Sequence, residues 1–133
     1  MPIVRIDIIE GKSNLYKQKM LDVIYHAMVK WIGLPKGDRR QILTEHSPAN
    51  FEHKGHSDFY TVIEVTLIKG RNFETKKCFY RDVVGNLSQE LEIPPNDITI
   101  ILNEQPAENW GIRGGIPASE IFGNYANDEP PRG

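Results

Sequence analysis

Residues 2–11 read Pro-Ile-Val-Arg-Ile-Asp-Ile-Ile-Glu-Gly, and residues 61–70 read Thr-Val-Ile-Glu-Val-Thr-Leu-Ile-Lys-Gly. Both are runs rich in β-branched residues that end on a glycine, and each opens a longer segment of the same grammar. Sliding the chain by 59 positions lays Gly11 on Gly70, Lys17 on Lys76, Pro35 on Pro94, Asp38 on Asp97, Leu43 on Leu102 and Glu45 on Glu104. The apolar residues Met20, Ile24, Met28 and Ile32 fall on Phe79, Val83, Leu87 and Leu91. A spacing of four keeps each set on one helical face. The chain is an internal repeat, and the repeat organises everything else.

Each copy predicts strand, helix, strand. In the first, residues 2–9 predict a strand, Gly11 breaks it, and Ser13 or Asn14 offers an N-cap. An amphipathic helix over 14–32 turns Leu21, Ile24, Met28 and Trp31 or Ile32 inward, and Gly33 and Pro35 stop it before a strand over 39–46. The second copy predicts a strand over 60–69, a helix over 73–91 stopped by Pro94-Pro95, and a strand over 98–103. A strand, a crossover helix and a second strand form a right-handed parallel unit. The expected fold class is therefore α+β: a tandem β-α-β repeat forming a four-stranded mixed sheet with two helices on one face. One domain is expected over 1–133, with repeats at 2–46 and 60–105 and a C-terminal extension at 106–133. The strands carry apolar residues on both sides, so the uncovered sheet face predicts packing against another subunit. Residues 47–59 read as a polar loop, 105–123 as a turn-rich segment with room for a short hairpin, and the tail Asn124 to Gly133 as extended.

Composition narrows the function. The 133 residues suit one domain, and 39% hydrophobic residues suffice for a core. Sixteen basic against eighteen acidic residues leave a net charge of −2, which argues against binding nucleic acid or an anionic membrane by bulk charge. Cys78 has no partner cysteine in the sequence, and no apolar run approaches the ~20 residues of a membrane span. Together with an N-terminus that does not read as a signal segment, these features predict a cytoplasmic protein. His53-x-x-His56 lies in a polar loop without further ligands and predicts no metal; no glycine-rich phosphate loop is present. Cys78 reads as partly buried filling of the second helix.

Pro2 carries chemistry of its own. Proline after the initiator favours removal of Met1, which exposes a secondary amine at the start of a buried strand. An α-amino group titrates near about 7.7–8.0, and burial or a neighbouring cation lowers that value. Such an amine is a competent general base when neutral and a general acid when protonated.

The repeat and this proline bring a family into view. The chain resembles the tautomerase superfamily, built from β-α-β units around a catalytic amino-terminal proline. Pro2 to Gly11, Leu34-Pro35-Lys36-Gly37-Asp38-Arg39 and Cys78-Phe79-Tyr80 look more narrowly like malonate semialdehyde decarboxylase and its relatives, over roughly residues 2–115. The resemblance implies a cofactor-free isomerase and a homotrimer. It also implies site residues: Pro2 and Asp38 at the proton-transfer centre, and Arg71, a planar fork for a substrate carboxylate, as both catalytic and substrate-binding. Lys69 stands where those relatives carry a first arginine, keeping the charge and losing the bidentate geometry. Trp110 stands where they carry a tryptophan near the pocket, and Ile112 where they have a larger aromatic. Arg113 and Gln41 complete the candidates for substrate binding.

The expected function is keto-enol tautomerisation of a small 2-keto or 3-keto carboxylic acid. Two alternatives stay open: a decarboxylase or hydratase of the malonate semialdehyde type using the same site, and a non-catalytic oligomeric binding protein that retains Met1.

Overall fold

Along Ile3–Ile9 side chains alternate between two environments, with Val4, Ile6 and Ile8 buried and Arg5 exposed. That period of two makes the segment a strand, β1. The computed structural model describes residues 2–123, so the removal of Met1 and the tail Asn124 to Gly133 lie outside the described residues. After β1 come α1 (Asn14–Ala27), β2 (Gln41–His46), β3 (Thr61–Ile68), α2 (Phe73–Leu91), β4 (Ile98–Gln105), β5 (Gly111–Ile112), β6 (Ile116–Pro117) and α3 (Ala118–Phe122).

The large sheet runs β2-β1-β3-β4. β1 is parallel to β2 and β3 to β4, while β1 and β3 meet antiparallel in the middle. Each repeat is thus one parallel β-α-β unit, and the central antiparallel pair makes the sheet mixed. Val4, Ile6 and Ile8 pair in register with Val65, Ile63 and Thr61 and face both helices. Met20 and Ile24 of α1 and Phe79, Val83 and Leu87 of α2 close this core, each less than 1% exposed. Burying side chains of this size contributes roughly 1.5–3 kcal/mol apiece. Trp31 Nε1 donates to Asp82 across the two helices at 2.8 Å.

The repeat recurs in the caps and ion pairs. Ser13 Oγ accepts from Tyr16 N at 3.1 Å, and its mate Asn72 Oδ1 accepts from Thr75 N at 2.9 Å. Lys17 pairs with Glu45, and their mates Lys76 and Glu104 pair likewise. Both helical segments end in the left-handed region, at Gly33 (φ 88°) and at its mate Glu92 (φ 59°).

The copies part company beside Gly33. One helix was expected over 14–32, but the α-helix stops at Ala27 and a π turn, Met28–Ile32, replaces its last stretch. Gly33 N donates to Met28 O, a bond that spans five residues. Pro35 disfavours helical backbone at Leu34, so the chain must leave the helix here, and the wide turn carries it out. β2 begins at Gln41 instead of residue 39, although Val4 N still donates to Arg40 O at 3.0 Å. β4 runs to Gln105, two residues past the expected end.

The second sheet face is covered at both ends. Its C-terminal end is covered by the extension, whose β5–β6 hairpin was expected and whose helix α3 was not; Ile68, Ala107 and Ala118 are buried there with Trp110, Ile112 and Phe122. At the other end lies the loop joining the repeats, where Phe51 packs on His46 and Tyr60, and Tyr60 Oη bonds Thr99 Oγ1. Between them the register lines up Ile42, Arg5, Glu64 and Ile101 in one row across all four strands. This face is mixed: apolar at both edges and charged in the middle. Among the described residues no helix is long and apolar enough to cross a membrane.

Candidate active site

Pro2 stands at the head of the central strand β1, where its missing N–H removes only a terminal ladder bond. It is buried, and it forms part of the wall of a cavity of about 510 Å³. Four segments build the remaining wall: the exit from the π turn, the end of β3, the segment containing Asp38 and Arg40, and the extension from Trp110 to Phe122.

The turn that places Asp38 is local. Leu34-Pro35 leaves the helix, and Asp38 N donates to Pro35 O at 3.2 Å, as Asp97 N does to Pro94 O in the other copy. The Asp38 carboxylate pairs with Arg40 Nη1 at 2.7 Å. Arg71 follows β3, and its fork is held by backbone: Nη1 donates to Ile68 O at 2.8 Å and Nη2 to Ile32 O at 2.7 Å. The second bond caps the last carbonyl of the π turn, where a cation also meets the negative end of the helix dipole. Arg113 stands at the tip of the β5–β6 hairpin with φ 50°, followed by Gly114 and Gly115 at φ 85° and 94°. Three successive left-handed residues reverse the chain there, and only the glycines adopt that conformation without cost. The Arg113 guanidinium lies 5.5 Å from the centre of the Phe122 ring.

Trp110 lines the cavity, and its Nε1 is buried without a hydrogen-bond partner among the described residues. Leu34, Ile68, Ile112 and Phe122 add apolar wall. Among the described residues, the charged ones of the wall are Asp38, Arg40, Arg71 and Arg113, three cations to one anion. Such a set of cations is suited to an anionic group such as a carboxylate.

Of the residues expected from sequence, the cavity thus gathers Pro2, Asp38, Arg71, Trp110 and Arg113. Lys69 and Gln41 are not in its wall. Lys69 follows β3 and uses its backbone N–H on Gln105 O at 2.9 Å; Gln41 Nε2 donates to Leu21 O on the helix side of the sheet at 2.8 Å. Sequence reasoning missed Arg40 and Phe122. Arg40 did leave a signal: its repeat mate is Thr99, so the copies differ in charge at that position. His53 and His56 take separate carboxylates, Asp58 and Asp97, both at 2.8 Å.

Two family models, each described as a tautomerase enzyme, match residues 38–113 and residues 2–57. The probable tautomerase YrdN of Bacillus subtilis (strain 168) is 33% identical over 84% of this chain and 91% of its own length. The 2-hydroxymuconate tautomerase of Pseudomonas putida is 32% identical over 60 residues, 45% of this chain and 94% of that one, about the length of one repeat. Among solved structures, a malonate semialdehyde decarboxylase superposes with a TM-score of 0.79 at 25% identity, covering 91% of this chain and 97% of the other. A fused 4-OT solved as a symmetric trimer does so with a TM-score of 0.79 at 25% identity, covering 90% and 98%. A tandem β-α-β sheet with a proline heading its central strand, matched by both models, puts the chain in the tautomerase family of enzymes.

Proposed function

We propose that this enzyme is a cofactor-free keto-enol tautomerase for a small 2-keto or 3-keto carboxylic acid, with the Pro2 amine, freed of Met1, as general base and acid. The observation that carries this reading is the cavity in which Pro2 lies with Arg71, Arg113 and Asp38. Arg71 and Arg113 grip the substrate carboxylate. In the direction of ketonisation the neutral amine accepts the enol O–H proton. The resulting ammonium returns that proton to carbon, so the amine ends as it began. Negative charge on the enolate is greatest between these steps, and the arginines stabilise it there more than in the ground state. The same cations favour a neutral amine near neutral pH.

Ultraviolet ketonisation of phenylenolpyruvate tests the reading on Met1-processed protein beside Pro2→Ala. The expected result is a clear wild-type rate that falls on the order of 10²–10⁴-fold in the variant, the usual contribution of a positioned acid-base group. A rate that survives the substitution would sink the assignment. Intact mass of protein from its native cell reports whether Met1 is removed; a retained Met1 would favour the non-catalytic reading, since an acylated proline nitrogen has no usable lone pair.

A second reading is favoured by Asp38, which shares the cavity wall with Pro2. With Pro2 protonated and Asp38 activating water, the site would decarboxylate a malonate semialdehyde or hydrate an acetylenic acid. Carbon dioxide release from malonate semialdehyde, followed by NMR, is its test. Its absence would leave tautomerisation alone.

A further inference from the structure

Pro2 also borders a second, small pocket of about 10 Å³, which Tyr25, Asp38 and Gln41 help to line. That volume admits a single water and nothing larger. Gln41 opens β2 in register with Val4, whose side chain points to the helices, so Gln41 lies under α1. Its amide is oriented from one end: Nε2 donates to Leu21 O at 2.8 Å. The other end, Oε1, is buried and has no hydrogen-bond partner among the described residues. A buried amide oxygen left unpaired is costly, and the bonds that its neighbours make here go elsewhere. Tyr25 Oη accepts from Gly37 N at 2.7 Å, Arg39 pairs with Asp22 at 2.9 Å, and Asp38 pairs with Arg40.

A protonated secondary amine has two N–H donors. In the proposed reaction one faces the substrate in the large cavity, and the other needs an acceptor behind it. We infer that Gln41 is a positioning residue for the Pro2 amine, its Oε1 holding the rear N–H of the ammonium across the one water that the small pocket admits. The inference rests on the reading of Pro2 as a free amine. It moves Gln41 from the substrate to the base.

The groups facing this amine act in two directions. Arg40, Arg71 and Arg113 in the cavity, with Arg39 at the small pocket, disfavour its charge; Asp38 and Gln41 Oε1 favour it, and the Tyr25 phenol lies beside them. Removing the Gln41 acceptor therefore lowers the Pro2 pKa, and a carboxylate in its place raises it.

The test is a ¹⁵N titration of proline-labelled, Met1-processed protein, in which Pro2 is the one titrating amine among nine prolines. Gln41→Met is expected to lower the Pro2 pKa by about half a unit to one unit, and Gln41→Glu to raise it by about as much. Both variants lose the bond to Leu21 O, so a merely structural role would move the two alike; opposite shifts are the signature. Should the Met variant fail to fold, an unchanged pKa in the Glu variant overturns the inference alone. A Pro2 that titrates identically in wild type and both variants overturns it as well, while leaving the tautomerase reading standing. A wild-type spectrum without a titrating amine overturns both.

Discussion

The guanidinium of Arg71 donates to Ile68 O and Ile32 O and at the same time lines the cavity. Its anchors are backbone, so the fork is oriented before any substrate arrives, which is the arrangement that makes a carboxylate grip strong. Lysine offers three donors on one nitrogen and cannot span two carbonyls and a carboxylate together. Arg71→Lys is therefore expected to raise KM for the keto acid on the order of tenfold or more, the size of a lost charged hydrogen bond, and to lower Tm through the uncapped π turn. Arg113 is exposed, and among the described residues its guanidinium meets the Phe122 ring and has no such backbone anchor. Arg113→Ala should raise KM with Tm unchanged. Steady-state kinetics beside thermal melts of both variants check the contrast; equal Tm losses would refute it.

At the scale of elements, the two aspartates Asp38 and Asp97 occupy equivalent turns and do opposite work. Asp38 faces the cavity, whereas Asp97 is 4% exposed and accepts from Ser57 N, Ser57 Oγ and His56 Nδ1, tying the loop between the repeats to the start of β4. The Ser57 hydroxyl first, then His56, holds the Asp97 carboxyl below the ordinary value of 3.8. A depressed folded-state pKa contributes stability that is complete above the unfolded value and is lost as pH falls through the folded one. Tm should hence be insensitive to Asp97 titration at neutral pH and fall as the medium drops below about pH 4. Asp97→Asn should flatten that acid limb in a series of melts from about pH 6 to about pH 2; an unchanged limb would assign acid sensitivity elsewhere. The same elements show what the sequence made legible. Caps, glycine breakers and proline stops meet identical demands in both copies, so α2 is found at the bounds its pattern predicts. The π turn is different: shifting a hydrogen bond from four to five residues over Met28–Ile32 leaves no trace in so short an apolar pattern. α3, at five residues, is shorter than two helical turns and has no period to read. Lys69 was placed by resemblance at a position that the end of β3 keeps out of the wall to which Ile68 belongs. Arg40 was within reach of the repeat itself, since the site lies where the two copies disagree.

For the whole molecule, the row Ile42, Arg5, Glu64, Ile101 carries the open question of assembly. Its outer members are 44% and 40% exposed, on the two edge strands, and the charges are confined to the centre. A two-fold contact would set one patch against itself. Apolar groups at opposite edges instead suit a head-to-tail ring in which the β2 edge of one chain meets the β4 edge of the next. A fused 4-OT of the same fold was solved as a symmetric trimer; for this chain a closed three-membered ring is a prediction put to the test. Light scattering on a sizing column should give about three chain masses. Ile42→Lys and Ile101→Glu should each reduce this to one chain mass with the circular dichroism of the fold retained, because each places a charge against an apolar neighbour. In a head-to-tail ring the two substituted positions face each other across every interface, so the double variant Ile42→Lys/Ile101→Glu should reassemble. In a dimer joined edge to like edge, β2 on β2, the double variant would set lysine near lysine and stay apart. A double variant that remains monomeric rules out the ring, and a wild type of one chain mass rules out assembly through this face.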